Sequence, residues 1–232
     1  IVCDKLRDIS ELEVVTIEDF IEMILFFTNE EKFQTSHRKK QRGPSEFMLK
    51  DFFKPETISE TERMAFQDRV LPGIVKLVLD TEILFPDGKT FPLLRQDNNT
   101  RVVLSRRQCA CLLAHMVMCL TRDQGNEKLA ELINFSVIYG KAGLAKNVAR
   151  KIQKIKCIFQ YFETFFRENQ DGTVVFERSF LEGPRAEDEW SGCDETLTKA
   201  EFLHLGAIED TQQALQVVFS DKQLGDQVLQ LP

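Results

Sequence analysis

The chain has 232 residues, 43% of them hydrophobic and 29% charged, with a formal net charge of −7. That is enough apolar material for one large domain with a buried core. The acidic balance argues against a chain built mainly to coat nucleic acid or an anionic membrane, and no apolar run reaches the ~18 residues a membrane span needs.

Six cysteines occur, Cys3, Cys109, Cys111, Cys119, Cys157 and Cys193, with neither a disulfide framework nor zinc-ligand spacing. Buried free thiols in an intracellular chain are the expectation, and no metal ligands or cofactor are assigned. The chain opens on Ile1 rather than Met, which reads as a fragment or a processed form.

In chain order, Thr16 with Asp19 reads as a helix start, a weaker form of the capping box. Ile17, Phe20, Ile21, Ile24 and Phe27 follow at helical spacing. The basic run from His37 to Arg42 ends in Gly43-Pro44 and reads as a solvated loop. Its alternative is a nuclear-import or phosphate-contacting patch. Ser59 and Glu62 form a stronger capping box, with a helix expected through about Leu71. Pro72 then suits the first turn of another helix carrying Ile74, Val75, Leu77 and Val78. Phe85-Pro86-Asp87-Gly88 is turn chemistry, and Pro92 keeps Phe91–Leu94 out of regular structure.

Ser105 and Gln108 open a helix expected to run to Leu120, apolar on nearly every face and therefore central. His115 inside it reads as a hydrogen-bonded core residue rather than a catalyst. The longest helix is expected over Leu144–Arg167, where Leu144, Val148, Ile152, Ile155, Phe159, Phe162 and Phe166 form one apolar stripe. Lys146, Arg150, Lys151, Lys154 and Lys156 read as its solvated face. The pattern then changes to β-branched and aromatic residues. Strands are expected at Thr173–Phe176, Phe202–Leu205 and Leu215–Phe219. Three short strands with a bare edge make an uncomfortable domain, so the chain reads as cut short.

The order of segments carries a family resemblance. It runs through Leu71-Pro72, Val75-Lys76-Leu77, Pro92-Leu93-Leu94, Leu104-Ser105 with Gln108, and Leu112-Leu113-Ala114. It continues through Ile133-Asn134-Phe135 and Lys154-Ile155-Lys156 with Cys157, Phe159, Tyr161 and Phe162. Gly172 with Val174 and Phe176, Trp190 with Cys193, Leu197-Thr198, Gly206-Ala207-Ile208-Glu209 and Leu215-Gln216-Val217 with Phe219 complete it. In this order the chain resembles the poly(ADP-ribose) glycohydrolases over about two thirds of its length.

The resemblance implies an α+β fold. An N-terminal helical accessory domain, 1–168, would precede a partial macrodomain-like catalytic domain, 172–232, holding the first strands of an incomplete α/β sheet. It implies hydrolysis of ribose–ribose bonds in poly(ADP-ribose), with the polymer, ADP-ribose and poly(ADP-ribosyl)ated proteins as partners, in nucleus or cytoplasm. Membrane and direct DNA binding are not expected. Ile208 and Glu209 correspond to the family's adenine contact.

The resemblance also exposes departures. Val218 stands at the family's strand aspartate and Asp221 at its asparagine. Leu224-Gly225-Asp226 replaces three glycines, and no Gln-Glu-Glu appears through Pro232. No catalytic residue is assigned, and the expectation is a chain inactive by itself. The alternative is a non-catalytic helical scaffold or regulatory protein derived from the family.

Overall fold

The computed structural model describes residues 16–29, 48–87, 94, 98–121, 134–139, 145–168 and 170–179, with short pieces at 191–192, 194–196, 202, 206–207 and 210. Helices dominate, and two strands form a small antiparallel sheet. The class is α+β, as expected.

Helix α1 spans Ile17–Asn29. Its start is a reciprocal cap: Thr16 Oγ1 accepts from the Asp19 N–H at 3.1 Å, and Asp19 Oδ2 accepts from the Thr16 N–H at 2.8 Å. The stripe read from the sequence is the buried one, with Phe20, Ile24 and Phe27 fully enclosed. A one-turn helix α2, Met48–Phe52, was not anticipated and delivers Leu49, Phe52 and Phe53 to the core.

Helix α3, Glu60–Ala65, opens on the Ser59–Glu62 capping box. Two helices were expected to meet near Pro72. They do, with Pro72 in the first turn of α4, Leu71–Leu79, and α3 reaches it without a break through a π-helical turn, Phe66–Val70. The cause is local. Proline has no N–H and its ring collides with the carbonyl four residues back in a regular helix. The wider turn, closed by the Leu71 N–H on the Phe66 carbonyl, moves that carbonyl aside and lets the helix continue. Helix α5, Thr81–Leu84, follows at once, and the chain then turns at Pro86 and Asp87.

Strand β1, Thr100–Ser105, leads without a break into α6, Arg106–Val117. Ser105 caps α6 through the expected box with Gln108. The helix stops three residues short of Leu120. Cys119 adopts a left-handed φ of 56°. The Leu120 N–H bonds the His115 carbonyl at 2.9 Å and the Cys119 N–H bonds the Met116 carbonyl at 3.1 Å. This is a Schellman stop with cysteine where glycine is usual. Helix α7 is the single turn Ser136–Tyr139, and α8 spans Ala145–Arg167 as predicted.

The core is aromatic at its centre. Phe159 of α8 meets Phe66 at 4.5 Å, Phe52 at 5.4 Å, Phe53 at 6.2 Å and Phe20 at 6.3 Å between ring centroids. Those spacings are the favourable range for ring pairs. Gly73 of α4 lies so close to α8 that a Cβ there would sit 2.4 Å from the Phe166 ring. The basic face of α8 departs from expectation, because Lys151 is only 4% exposed and Lys156 lies 3.8 Å from Glu62. Burial pulls the Lys151 ammonium below its ordinary pKa, with Lys154 adding repulsion.

Strand β2, Thr173–Arg178, contains the strand read at 173–176 and pairs antiparallel with β1, a strand the sequence reading had left unassigned. The register sets Val103 opposite Val175, Leu104 opposite Val174 and Val102 opposite Phe176. Residues 100–105 carry Thr100, Val102 and Val103, which favour a strand, but the polar run before them hid the signal. Phe202 lies outside regular structure. The remainder of Phe202–Leu205 and all of Leu215–Phe219 lie outside the described residues.

Candidate functional site

The adenine-contact pair Ile208 and Glu209 lies outside the described residues, as do Val218, Asp221, Asp226, Trp190 and Cys193. What the described residues bring together is different, a polar node and two shallow hollows around the helical core.

The node joins α4, α5 and α6. Cys111 and His115, four apart on α6, share one face of it. His115 Nδ1 lies 2.9 Å from the Cys111 carbonyl oxygen, so that nitrogen carries a proton. Its Nε2 lies 3.3 Å from Thr81 Oγ1, whose hydroxyl donates to the Val78 carbonyl. The Cys111 thiol donates to the Leu77 carbonyl at 3.2 Å. These bonds satisfy polar groups where α4 turns into α5 and α6 packs across them. His115 is therefore a hydrogen-bonded, half-buried structural residue, as its sequence setting suggested. Thr81 and Cys111 were not foreseen as its partners, although the i, i+4 spacing of Cys111 and His115 was visible.

The first hollow, about 210 Å³, lies between α4, α6 and the end of α8, lined by Gly73, Lys76, Asp80, Arg107 and Phe166. The Arg107 guanidinium stands 3.5 Å from Asp80 Oδ2. The second, about 200 Å³, opens onto Phe52, Phe66 and Phe159 under Glu62 and Lys156.

Glycoside hydrolysis needs a carboxylic acid held protonated near neutrality. Two carboxyl groups, Glu60 and Glu62, are biased the other way. The Ser59 backbone N–H, then its hydroxyl, hold Glu62 below its ordinary pKa, with Lys156 assisting. The Arg63 hydrogen bond does the same to Glu60. Neither is fitted to be a general acid. Burial likewise pushes the Cys109 and Cys119 thiols up, away from the thiolate that a nucleophile needs. Tyr139 is enclosed and donates to the Val117 carbonyl at 2.9 Å, a structural bond that joins α7 to α6.

Comparison with known proteins assigns this helical architecture. Residues 58–178 match the family described as poly(ADP-ribose) glycohydrolase (PARG), helical domain. The matched stretch runs from the residue before the Ser59 cap to the end of β2, so α3 to α8 and both strands fall inside it, while α1 and α2 precede it. Over 188 residues the chain is 30% identical to poly(ADP-ribose) glycohydrolase 1 of Arabidopsis thaliana, covering 75% of this chain and 34% of that protein. It is 29% identical over 196 residues to probable poly(ADP-ribose) glycohydrolase 2 of the same plant, covering 75% and 37%. Poly(ADP-ribose) glycohydrolase 1 of Caenorhabditis elegans is 28% identical over 127 residues, 54% of this chain and 15% of that protein. The chain thus spans about a third of the length of the plant relatives it matches. The helical match and the plant relatives agree: the chain belongs to the poly(ADP-ribose) glycohydrolase family.

Proposed function

We propose that this polypeptide is a helical scaffold of the poly(ADP-ribose) glycohydrolase family that does not by itself hydrolyse the polymer. The family reaction implied by the relatives' names is cleavage of the ribose–ribose bonds of poly(ADP-ribose), which makes the polymer and ADP-ribose the ligands to test. In this reading 1–168 is the helical part and 172–232 a partial macrodomain-like part, joined through the β1–β2 sheet.

The observation that carries the inactive reading is the segment from Val218 to Asp226. A diphosphate cradle needs backbone N–H groups brought close, which glycine allows and larger residues obstruct. In the alignment of segments Leu224 and Asp226 flank a single glycine, Gly225, and the Asp226 carboxylate adds a negative charge where the diphosphate would lie. Val218 supplies no polar group where the family has a carboxylate. Ile208 and Glu209 are retained as an adenine contact, an apolar wall beside an acceptor for the exocyclic amine. The proposed compartment is nucleus or cytoplasm, with the basic run His37–Arg42 read as a solvated loop or, alternatively, as an import patch.

The test is incubation of the purified chain with poly(ADP-ribose), with the Arabidopsis glycohydrolase 1 as the positive control and mass spectrometry of released ADP-ribose as the readout. No release above buffer is expected. Release that disappears in Glu209→Gln, Asp221→Asn or Asp226→Asn would overturn the proposal and mark a rebuilt active site.

A further inference from the structure

The two hollows beside the helical core differ in charge. The second is rimmed by Glu62, Glu163 and Lys156, two carboxylates to one ammonium. The first reverses that balance, with Lys76 and Arg107 against Asp80. The chain as a whole has a formal net charge of −7. A concave place with a cationic excess runs against that balance and draws anions locally.

Local structure sets the arrangement. Gly73, Lys76 and Asp80 are spaced three and then four residues apart along α4 and its cap, so they share one face. Arg107 of α6 meets that face, one terminal nitrogen lying 3.5 Å from Asp80 Oδ2. A guanidinium presents five N–H donors in a planar fork. The Asp80 carboxylate steadies one corner of that fork at the hollow that Lys76 also lines. The Phe166 ring forms a wall, and it comes this close to α4 because Gly73 has no Cβ, which would sit 2.4 Å from the ring. Gln170 adds a carboxamide with N–H donors.

We propose that this hollow, about 210 Å³, binds a phosphate-class anion between Lys76 and Arg107. These side chains carry it independently of the family reading. Near neutrality a phosphate group holds between one and two negative charges and several acceptor oxygens. Two of those oxygens match the arginine fork, and a further one meets the lysine as a point charge. A carboxylate has a single charge and two acceptor atoms, so it answers one cation better than two. Asp80 sets the limit on affinity, because its charge opposes the incoming anion while it orients Arg107. Binding is therefore weak and depends on both cations. Free phosphate and a phosphate ester share this chemistry.

Nitrogen–proton correlation spectra of the intact chain test the proposal, with inorganic phosphate titrated into the millimolar range and acetate at matched ionic strength beside it. Saturable shifts are expected at the Gly73, Lys76 and Arg107 amides and at the Arg107 side chain, with Glu62 and Glu163 at the second hollow unmoved. Acetate should bind several-fold more weakly. Arg107→Gln should weaken phosphate binding about tenfold, and so should Lys76→Gln, which leaves the Arg107–Asp80 contact in place. Both side chains are exposed, so the fold should survive, as unchanged peaks elsewhere will verify. Lys156→Gln, at the second hollow, should leave binding as it was. ADP-ribose separates the two sources of the anion. Shifts at the same amides that inorganic phosphate reverses extend the site to phosphate esters, and silence with ADP-ribose confines it to the free ion. Phosphate shifts that never saturate, that move the second hollow equally, or that persist in both Lys76→Gln and Arg107→Gln overturn the site. Acetate binding as tightly as phosphate overturns the ligand class.

Discussion

The aromatic core and the two-stranded sheet both carry apolar side chains, yet among the described residues one is closed and the other is open. Around Phe159, rings from α1, the α2 region and the π-turn surround a side chain that is 7% exposed. On β2 every residue from Thr173 to Glu177 stays exposed. The difference lies in how many elements reach each surface. The core draws on both ends of the helical region, whereas the sheet is covered on one side only. Among the described residues no second layer covers β2, and exposed apolar side chains of this kind mark a surface suited to contact.

The sharpest way to break this contrast is Phe159→Ala. Removing the ring that contacts four others should cost about 3–5 kcal/mol in urea unfolding. Gly73→Ala attacks the core from its edge. The new methyl meets the Phe166 ring, and a loss of about 1–3 kcal/mol is expected. Phe166→Ala in the same chain should erase most of the added penalty, because the two changes share one contact. Ser105→Ala tests the junction between sheet and core. It removes the hydroxyl that accepts from the Gln108 N–H at 3.1 Å, and about 1 kcal/mol should go from α6.

These expectations bear on what could be read from the residues alone. The three caps, Thr16 with Asp19, Ser59 with Glu62 and Ser105 with Gln108, were legible because capping is a local bargain between residues three apart. The stripe of α8 was legible for the same reason. The π-turn before Pro72 was not, since its cause is a clash between a ring and a carbonyl that no periodicity records. The stop at Cys119 was hidden because cysteine occupies a position where glycine is the usual signal. Strand β1 escaped because its stability comes from pairing with β2 some seventy positions later. For the site, the departures at Val218 and Leu224–Asp226 were legible only against the family pattern, and Ile208 and Glu209 lie outside the described residues.

The smallest effect expected is a pH dependence at the start of α3. Glu62 has a folded pKa below its ordinary value of 4.5. A depressed carboxylate contributes stability that is fully present above its unfolded pKa and is lost as pH falls through the folded one. Glu62 is about half exposed, so solvent screens much of the effect. Glu62→Gln should therefore flatten the decline of stability below pH 4.5 slightly and change little of its slope near neutrality, as followed by thermal melts across an acid series.

The central structural claim is that, among the described residues, the aromatic core is closed while strand β2 is left exposed. Urea unfolding followed by far-UV and near-UV circular dichroism, with a hydrophobic dye as a third probe, addresses it most directly. The account predicts one cooperative transition, coincident by both dichroism signals, with little dye bound before it begins. Native-like far-UV signal without near-UV structure, together with strong dye binding in the absence of urea, would mean a molten chain and contradict a closed aromatic core.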